Sequence, residues 1–279
     1  MGRKGFLSKA GEKRLERFLG ALDDATRHPG EEAVHDLRVA IRRMLAFLAL
    51  AERLPGGEMP FPREFRTSLK ALMRPLGRLR DAHVKLIRIG QFVPHPGPCT
   101  RRYRIALLSD TDRWEETVAR TLHRTRPGFL RKAFRAIPLS PLPLHALEES
   151  ALSQLRARET GVARLADDWL ASPAPEPLHE MRIAFKAYRY TAEAMASLLP
   201  GMTGDAEARL HAFQTLLGDI HDFDVLLADA GHFREKVLEL PDLRSDLEEA
   251  VAAAREESLA KLLDMLQNAR GGAGLFALR

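Results

Sequence analysis

Two nine-residue stretches recur in this chain, in the same order and at nearly the same spacing. Val34-His35-Asp36-Leu37-Arg38-Val39-Ala40-Ile41-Arg42 matches Leu178-His179-Glu180-Met181-Arg182-Ile183-Ala184-Phe185-Lys186, offset by 144 residues. Leu76-Gly77-Arg78-Leu79-Arg80-Asp81-Ala82-His83-Val84 matches Leu217-Gly218-Asp219-Ile220-His221-Asp222-Phe223-Asp224-Val225, offset by 141. Paired matches of this kind mark a duplicated unit, so the two halves must reach similar folds. Their apolar residues recur at helical rather than strand spacing, which makes that unit a helical bundle.

Helical periodicity extends over most of the chain. It predicts helical regions over 8–27, 31–54, 62–91, 100–125, 127–136, 145–171, 176–199, 203–235 and 242–269. Aromatic residues make up only 6% of the chain, and a shortage of aromatics disfavours sheets. Breaks are expected at Pro55-Gly56-Gly57, Pro94 to Pro98, Ser172 to Pro175 and Pro200-Gly201, with a frayed tail from Gly271. The Pro-rich stretch at 138–144 is read as a linker between a first repeat, 1–137, and a second, 145–279. Pro75, inside a helical stretch, is expected to distort it. The fold class is all-α.

No apolar run reaches the ~20 residues of a membrane span, and no apolar segment follows the basic start, so neither a membrane anchor nor a signal peptide is expected. Cys99 is the single cysteine, which excludes an internal disulfide and fits a cytoplasmic location. Charge is unevenly placed. Residues 1–137 hold 29 Lys and Arg against 15 Asp and Glu, whereas 138–279 hold 14 against 23. The basic half is expected to attract a polyanion.

The repeated motif gives that expectation residues. Helix positions 0, +3, +7 and +10 fall within an arc of roughly 80°. His179, Arg182, Lys186 and Arg189 occupy them, and His35, Arg38 and Arg42 do so in the first half, with Arg43 beside them. Like charges one turn apart destabilise an isolated helix, so a stripe present in both halves calls for a compensating anion. Linear phosphate chains suit it, because guanidinium forks grip two phosphate oxygens and a charged imidazole donates from both nitrogens. In the second motif, Asp81 and Asp222 are read as carboxylates orienting arginines of the neighbouring His-bearing helix. Leu-Gly before them suggests close helix packing. Arg80 is expected to reach ligand, and Lys70 and Arg74 to extend the cationic surface.

With His-x-x-Arg-x-x-x-Arg/Lys in both halves, each followed by Leu-Gly-x-x-x-Asp-x-x-Val, the chain resembles the CHAD family, the conserved-histidine α-helical domains, from about residue 8 to 269. The resemblance implies two helical bundles related by pseudo-twofold symmetry. It also implies basic residues lining a central groove or pore that binds inorganic polyphosphate without catalysis. The implied contacts are His35, Arg38, Arg42, Arg43, His179, Arg182, Lys186 and Arg189. Relatives are associated with polyphosphate granules or fused to CYTH-type triphosphatase domains; no CYTH-like β-rich segment is visible, so a stand-alone member is expected. The stripes differ between halves, with Leu45 opposite Arg189 and Ala187 opposite Arg43.

The main rival is an HD-type metal-dependent phosphohydrolase, using His35-Asp36 and His221-Asp222 with Asp219 and Asp224. Against it, Arg38 and Arg42 share the face of His35 and would repel a divalent cation. His179-Glu180 also lacks the second histidine that a zincin helix places at position 183. No phosphate-cradling Gly-rich loop or nucleophile–base pair is present, so no catalytic residue, metal site or cofactor is expected. A nucleic-acid binder is the other rival. No nucleic-acid-binding motif accompanies the charge, and aromatics for base stacking are few.

Overall fold

The structure is a computed structural model that describes residues 5–53, 63–137, 139, 144–196, 199, 201–240 and 245–270. Those residues form nine α-helices: α1 (Phe6–Arg27), α2 (Glu31–Ala51), α3 (Arg63–Phe92), α4 (Pro98–Arg124), α5 (Pro127–Arg135), α6 (Leu144–Ala171), α7 (Pro175–Ala194), α8 (Gly204–Lys236) and α9 (Asp246–Arg270). There is no strand among the described residues. Each of the nine helical regions expected from periodicity holds one helix. None of them is long and apolar enough to cross a membrane.

Proline punctuates the chain as its chemistry requires. It begins α4, α5 and α7, where its missing N–H leaves no intrahelical bond unmade. Pro75 lies inside α3, and the helix continues through it to Phe92. Helix α7 stops at Ala194, short of the expected end at 199, because its last turn tightens. The Met195 N–H is shared between the carbonyls of Thr191 and Ala192, at 3.2 and 3.1 Å. The Pro55-Gly56-Gly57 break, residues 138 and 140–143 of the linker, Pro200, residues 242–244 and the tail from Gly271 lie outside the described residues.

The chain forms two compact units that both draw on sequence from either side of residues 138–144. The first comprises residues 1–81, 111–154 and 190–198; the second comprises 82–110, 155–189 and 199–279. Helices α3, α4, α6 and α7 therefore each contribute to both.

In the first unit α1 packs on α2. Leu15, Phe18 and Leu22 meet the buried face of Leu37, Ile41, Met44 and Phe47, joined by Phe65, Leu69 and Leu76 of α3 and Phe134 of α5. Phe65 and Phe134 meet edge to face at 5.6 Å. Gly11 permits this closeness: a Cβ there would lie 2.8 Å from Phe134 Cζ and 3.1 Å from the Phe47 ring. Arg14 stacks over Phe47 at 5.2 Å and donates to the carbonyl of Ala194 at 3.0 Å, a basic group at the negative end of α7.

The second unit has its own core of Ile89, Val93, Tyr103, Leu107, Phe223, Leu226, Leu247 and Val251. Phe185 and Phe213 make a further edge contact at 4.7 Å. Helix α9 starts with a capping box. Glu248 accepts from the Ser245 backbone N–H at 3.0 Å and from its hydroxyl at 2.8 Å, while the Ser245 hydroxyl accepts from the Glu248 N–H. The same carboxylate pairs with Arg234 of α8 at 3.1 Å, both side chains being about nine-tenths buried.

Candidate functional site

The first unit holds the first copy of the repeated motif pair up to Asp81, and the second unit holds the second copy whole. In the first unit, Leu37, Ile41 and Met44 turn α2 inward, and Arg38 goes in with them, only 8% exposed. Its guanidinium lies across α3 at Gly77, where a Cβ would stand 3.0 Å from Arg38 Nη1. The glycine of the Leu-Gly motif thus seats an arginine rather than a packed helix. Its counterpart Gly218 has nothing within 4 Å.

Burial, and then the neighbouring charges of Arg42 and Arg80, bring the Arg38 pKa down to about 10, against the opposite pull of Asp81 and Tyr190. Asp81 is exposed. It lies close enough to act on Arg38, as the sequence suggested, but as a solvated carboxylate and not a buried partner. His35 is exposed as well. Its pKa is lowered by partial burial and then by Arg80, with Asp36 opposing and Arg42 and Arg38 adding to the effect. Arg80 is therefore beside His35, but it donates to Glu31 at 2.6 Å.

Arg38, Arg42 and Arg80 form one cationic cluster with the His35 ring beside them. Arg43 points elsewhere: it pairs with Glu193 at 3.3 Å and repels Arg14, consistent with a step of about 100° from Arg42. Lys70 and Arg74 are exposed on α3, roughly 15 and 9 Å before Arg80 along the helix axis.

The second unit builds its cluster from α7 and α8. His179 and His221 face each other with ring centroids 5.2 Å apart, tilted by 40°. Burial, then Arg182, His179 and Lys186, push His221 down to about 4, with Asp224 opposing. Asp222 is half-buried. Its burial raises its pKa, against the pull of Arg182, Arg88 and Lys186. Here the expected carboxylate beside the arginine of the His-bearing helix is in place. Arg189 lies one turn beyond Lys186 on α7 and is half-buried.

Two members of this cluster were not among the sequence candidates. Sequence offers His221 only as half of a metal dyad, although its repeat position, opposite Arg80, points to this cluster. Arg88 pairs with Asp219 and stacks over Phe223 at 5.1 Å. No repeat signal indicates it, because it reaches the second unit only through the continuation of α3.

Two of the four carboxylates considered for an HD-type site are engaged by arginines: Asp219 by Arg88 and Asp224 by Arg255 at 2.5 Å. Among the described residues there is no group of three or more His, Cys, Asp and Glu side chains arranged to hold a metal ion.

Comparison with known proteins agrees with this architecture. The family model of the CHAD domain matches residues 9–230. The crystal structure of the CHAD domain from the plant Ricinus communis is similar over 100% of this chain and 94% of its own, with a TM-score of 0.67 and 22% sequence identity. No curated protein matches the chain.

Proposed function

Because the chain belongs to the CHAD domain family, which is associated with polyphosphate-related proteins, we propose that it binds inorganic polyphosphate through the cationic clusters of its two units, without catalysis. The observation that carries this reading is the crowding of positive groups on each repeated helix pair. Burial is the largest cause of the low pKa values of Arg38, about 10, and His221, about 4, and in both the neighbouring cations lower them further. A protein that only needed to fold gains nothing from such repulsion, whereas a phosphate chain relieves it. Closely spaced oxyanions can accept from Arg38, Arg42 and Arg80 in one unit and from His179, Arg182, Lys186 and His221 in the other.

The non-catalytic part of the proposal draws on the engagement of Asp219 and Asp224 by arginines. A cytoplasmic place at polyphosphate granules, or beside a CYTH-type triphosphatase, would follow from the same ligand. The test is binding of polyphosphate of one defined length to the parent, to Arg38→Ala/Arg42→Ala and to Arg182→Ala/Lys186→Ala. Helical circular dichroism serves as the folding control. Each double variant should bind more weakly than the parent. A cluster whose variant binds as the parent does is not part of the site. Competition with duplex DNA separates this reading from a nucleic-acid binder, and is compared across salt concentrations because phosphate contacts of either kind weaken with salt.

A further inference from the structure

We propose that His221 is a ligand-contacting residue that takes up a proton when the phosphate chain binds, so that the second unit's cluster grips its anion more tightly as pH falls. The inference rests on the polyphosphate reading and adds a residue and a mode of control to it.

The geometry comes first. The His221 ring faces His179 at 5.2 Å, a spacing at which two imidazoles can donate to successive oxyanions of one chain. From α7, His179, Arg182 and Lys186 all act on the ring. On α8 itself lie Asp219, Asp222 and Asp224. Two of these carboxylates are answered from other helices, Asp219 by Arg88 of α3 and Asp224 by Arg255 of α9. Burial weakens the charged form of Asp222. Burial is the largest cause of the low pKa of His221, about 4, and Arg182, His179 and Lys186 add to it against Asp224, so the ring stands neutral at neutral pH.

A neutral imidazole has one donor and one acceptor, and an acceptor turned toward a phosphate oxygen is repelled. A phosphate seated between Arg182 and Lys186 reverses the sign of the field and offers an acceptor to both ring nitrogens. Protonation then completes the site. The free protein avoids a further positive charge beside Arg182 and Lys186, and the complex gains it. By linkage, affinity rises as pH falls wherever the complex holds the proton and the free protein does not, by up to about tenfold per pH unit for one proton.

Isothermal titration calorimetry of the whole chain at pH 6, in buffers of different ionisation enthalpy, counts protons taken up on binding long-chain polyphosphate. Terminal phosphates titrate too, so the informative quantity is the difference between the parent and His221→Gln. The parent should take up more protons than the variant, by about half a proton or more. The variant should still bind, with a flatter dependence of affinity on pH. Equal uptake by parent and variant overturns the proposal while leaving polyphosphate binding intact. Absence of binding by the parent at any pH removes the proposed function and this inference with it. Should His221→Gln unfold, NMR titration of the His221 ring in the parent decides the matter. Its pKa must rise when polyphosphate is added, and an unchanged pKa refutes the idea.

Discussion

Replacing Arg38 by methionine should make the ligand-free protein more stable and its polyphosphate complex weaker. The side chain is 8% exposed, and its pKa falls from 12.5 to about 10, for which burial is the largest cause and the nearby cations Arg42 and Arg80 contribute. A group that is harder to protonate in the folded state than in the unfolded state lowers stability wherever it is charged in both. For Arg38 that condition holds at every pH below about 10, so the full penalty is present at neutrality. At about 1.4 kcal/mol per pKa unit, a depression of this size corresponds to roughly 3 kcal/mol.

Methionine keeps the unbranched stem and fills most of the same space without the charge. A gain of roughly 1–3 kcal/mol is expected, and each kcal/mol moves the melting temperature of a chain this large by about 2–4 °C. Calorimetric scans of parent and Arg38→Met, with and without polyphosphate, read both effects. Without ligand the variant should melt higher, and on adding ligand the parent should gain more. A variant that melts lower without ligand would refute the reasoning. It would mean that Asp81 and Tyr190 together stabilise the cation, and that Arg38 is there for the fold.

Other consequences can be checked in the same way. Glu31→Gln frees Arg80 from an exposed pair at 2.6 Å; such pairs are worth ~1 kcal/mol or less, so binding measurements should show tighter polyphosphate binding by up to about fivefold. Gly11→Ala drives a Cβ to 2.8 Å from Phe134 and should lose ~1–3 kcal/mol by overpacking. In contrast, Gly20→Ala on the same helix meets nothing within 4 Å and should gain ~0.5–1 kcal/mol in urea unfolding. Glu248→Ala removes the buried carboxylate partner of Arg234, which keeps the more exposed Glu235 and the Leu240 carbonyl, and should cost at most about 3–5 kcal/mol in the same assay. Since His221 titrates lower in the fold than in the unfolded chain, the unfolded state binds more protons between pH 6.5 and about 4. Ligand-free stability should therefore fall across that window, by roughly 2–3 kcal/mol after allowing for partial exposure, and His221→Gln should flatten the fall.

Element type and order were legible because the period of apolar residues and the placing of proline are local properties. Pro98, Pro127 and Pro175 begin helices as the rule for first-turn proline predicts. Pro75 shows its limit, because the core residues Leu72, Leu76 and Leu79 hold α3 together on both sides of one missing hydrogen bond. The cationic stripes were legible for the same local reason. What sequence could not supply was the company each charge keeps. Arg43 and Arg42 are neighbours in sequence, yet one meets Glu193 and the other Arg38. Asp81 and Asp222 occupy equivalent motif positions, yet one is solvated and the other half-buried.

Charge distribution shows the same dependence on folding. Divided at the linker, the sequence carries +14 in residues 1–137 and −9 in 138–279. Divided into compact units, the balances are +7 and −2, because the first unit recruits acidic residues from beyond the linker and the second takes the arginines of residues 82–110. The sequence contrast suggests that one half attracts the anion and the other merely receives it. The units support a more even division: each has its own cations, gathered on a repeated helix pair, and each tempers them differently. In the first, Glu31 occupies Arg80, and the proposed polyphosphate ligand would have to displace it. In the second, His221 is neutral in the ligand-free protein, and under the proposal above only a bound anion makes its charge tolerable. Both devices limit the positive charge presented by the empty protein, one by an internal carboxylate and one by a withheld proton. That is how a chain can keep two polycationic sites and still fold around them.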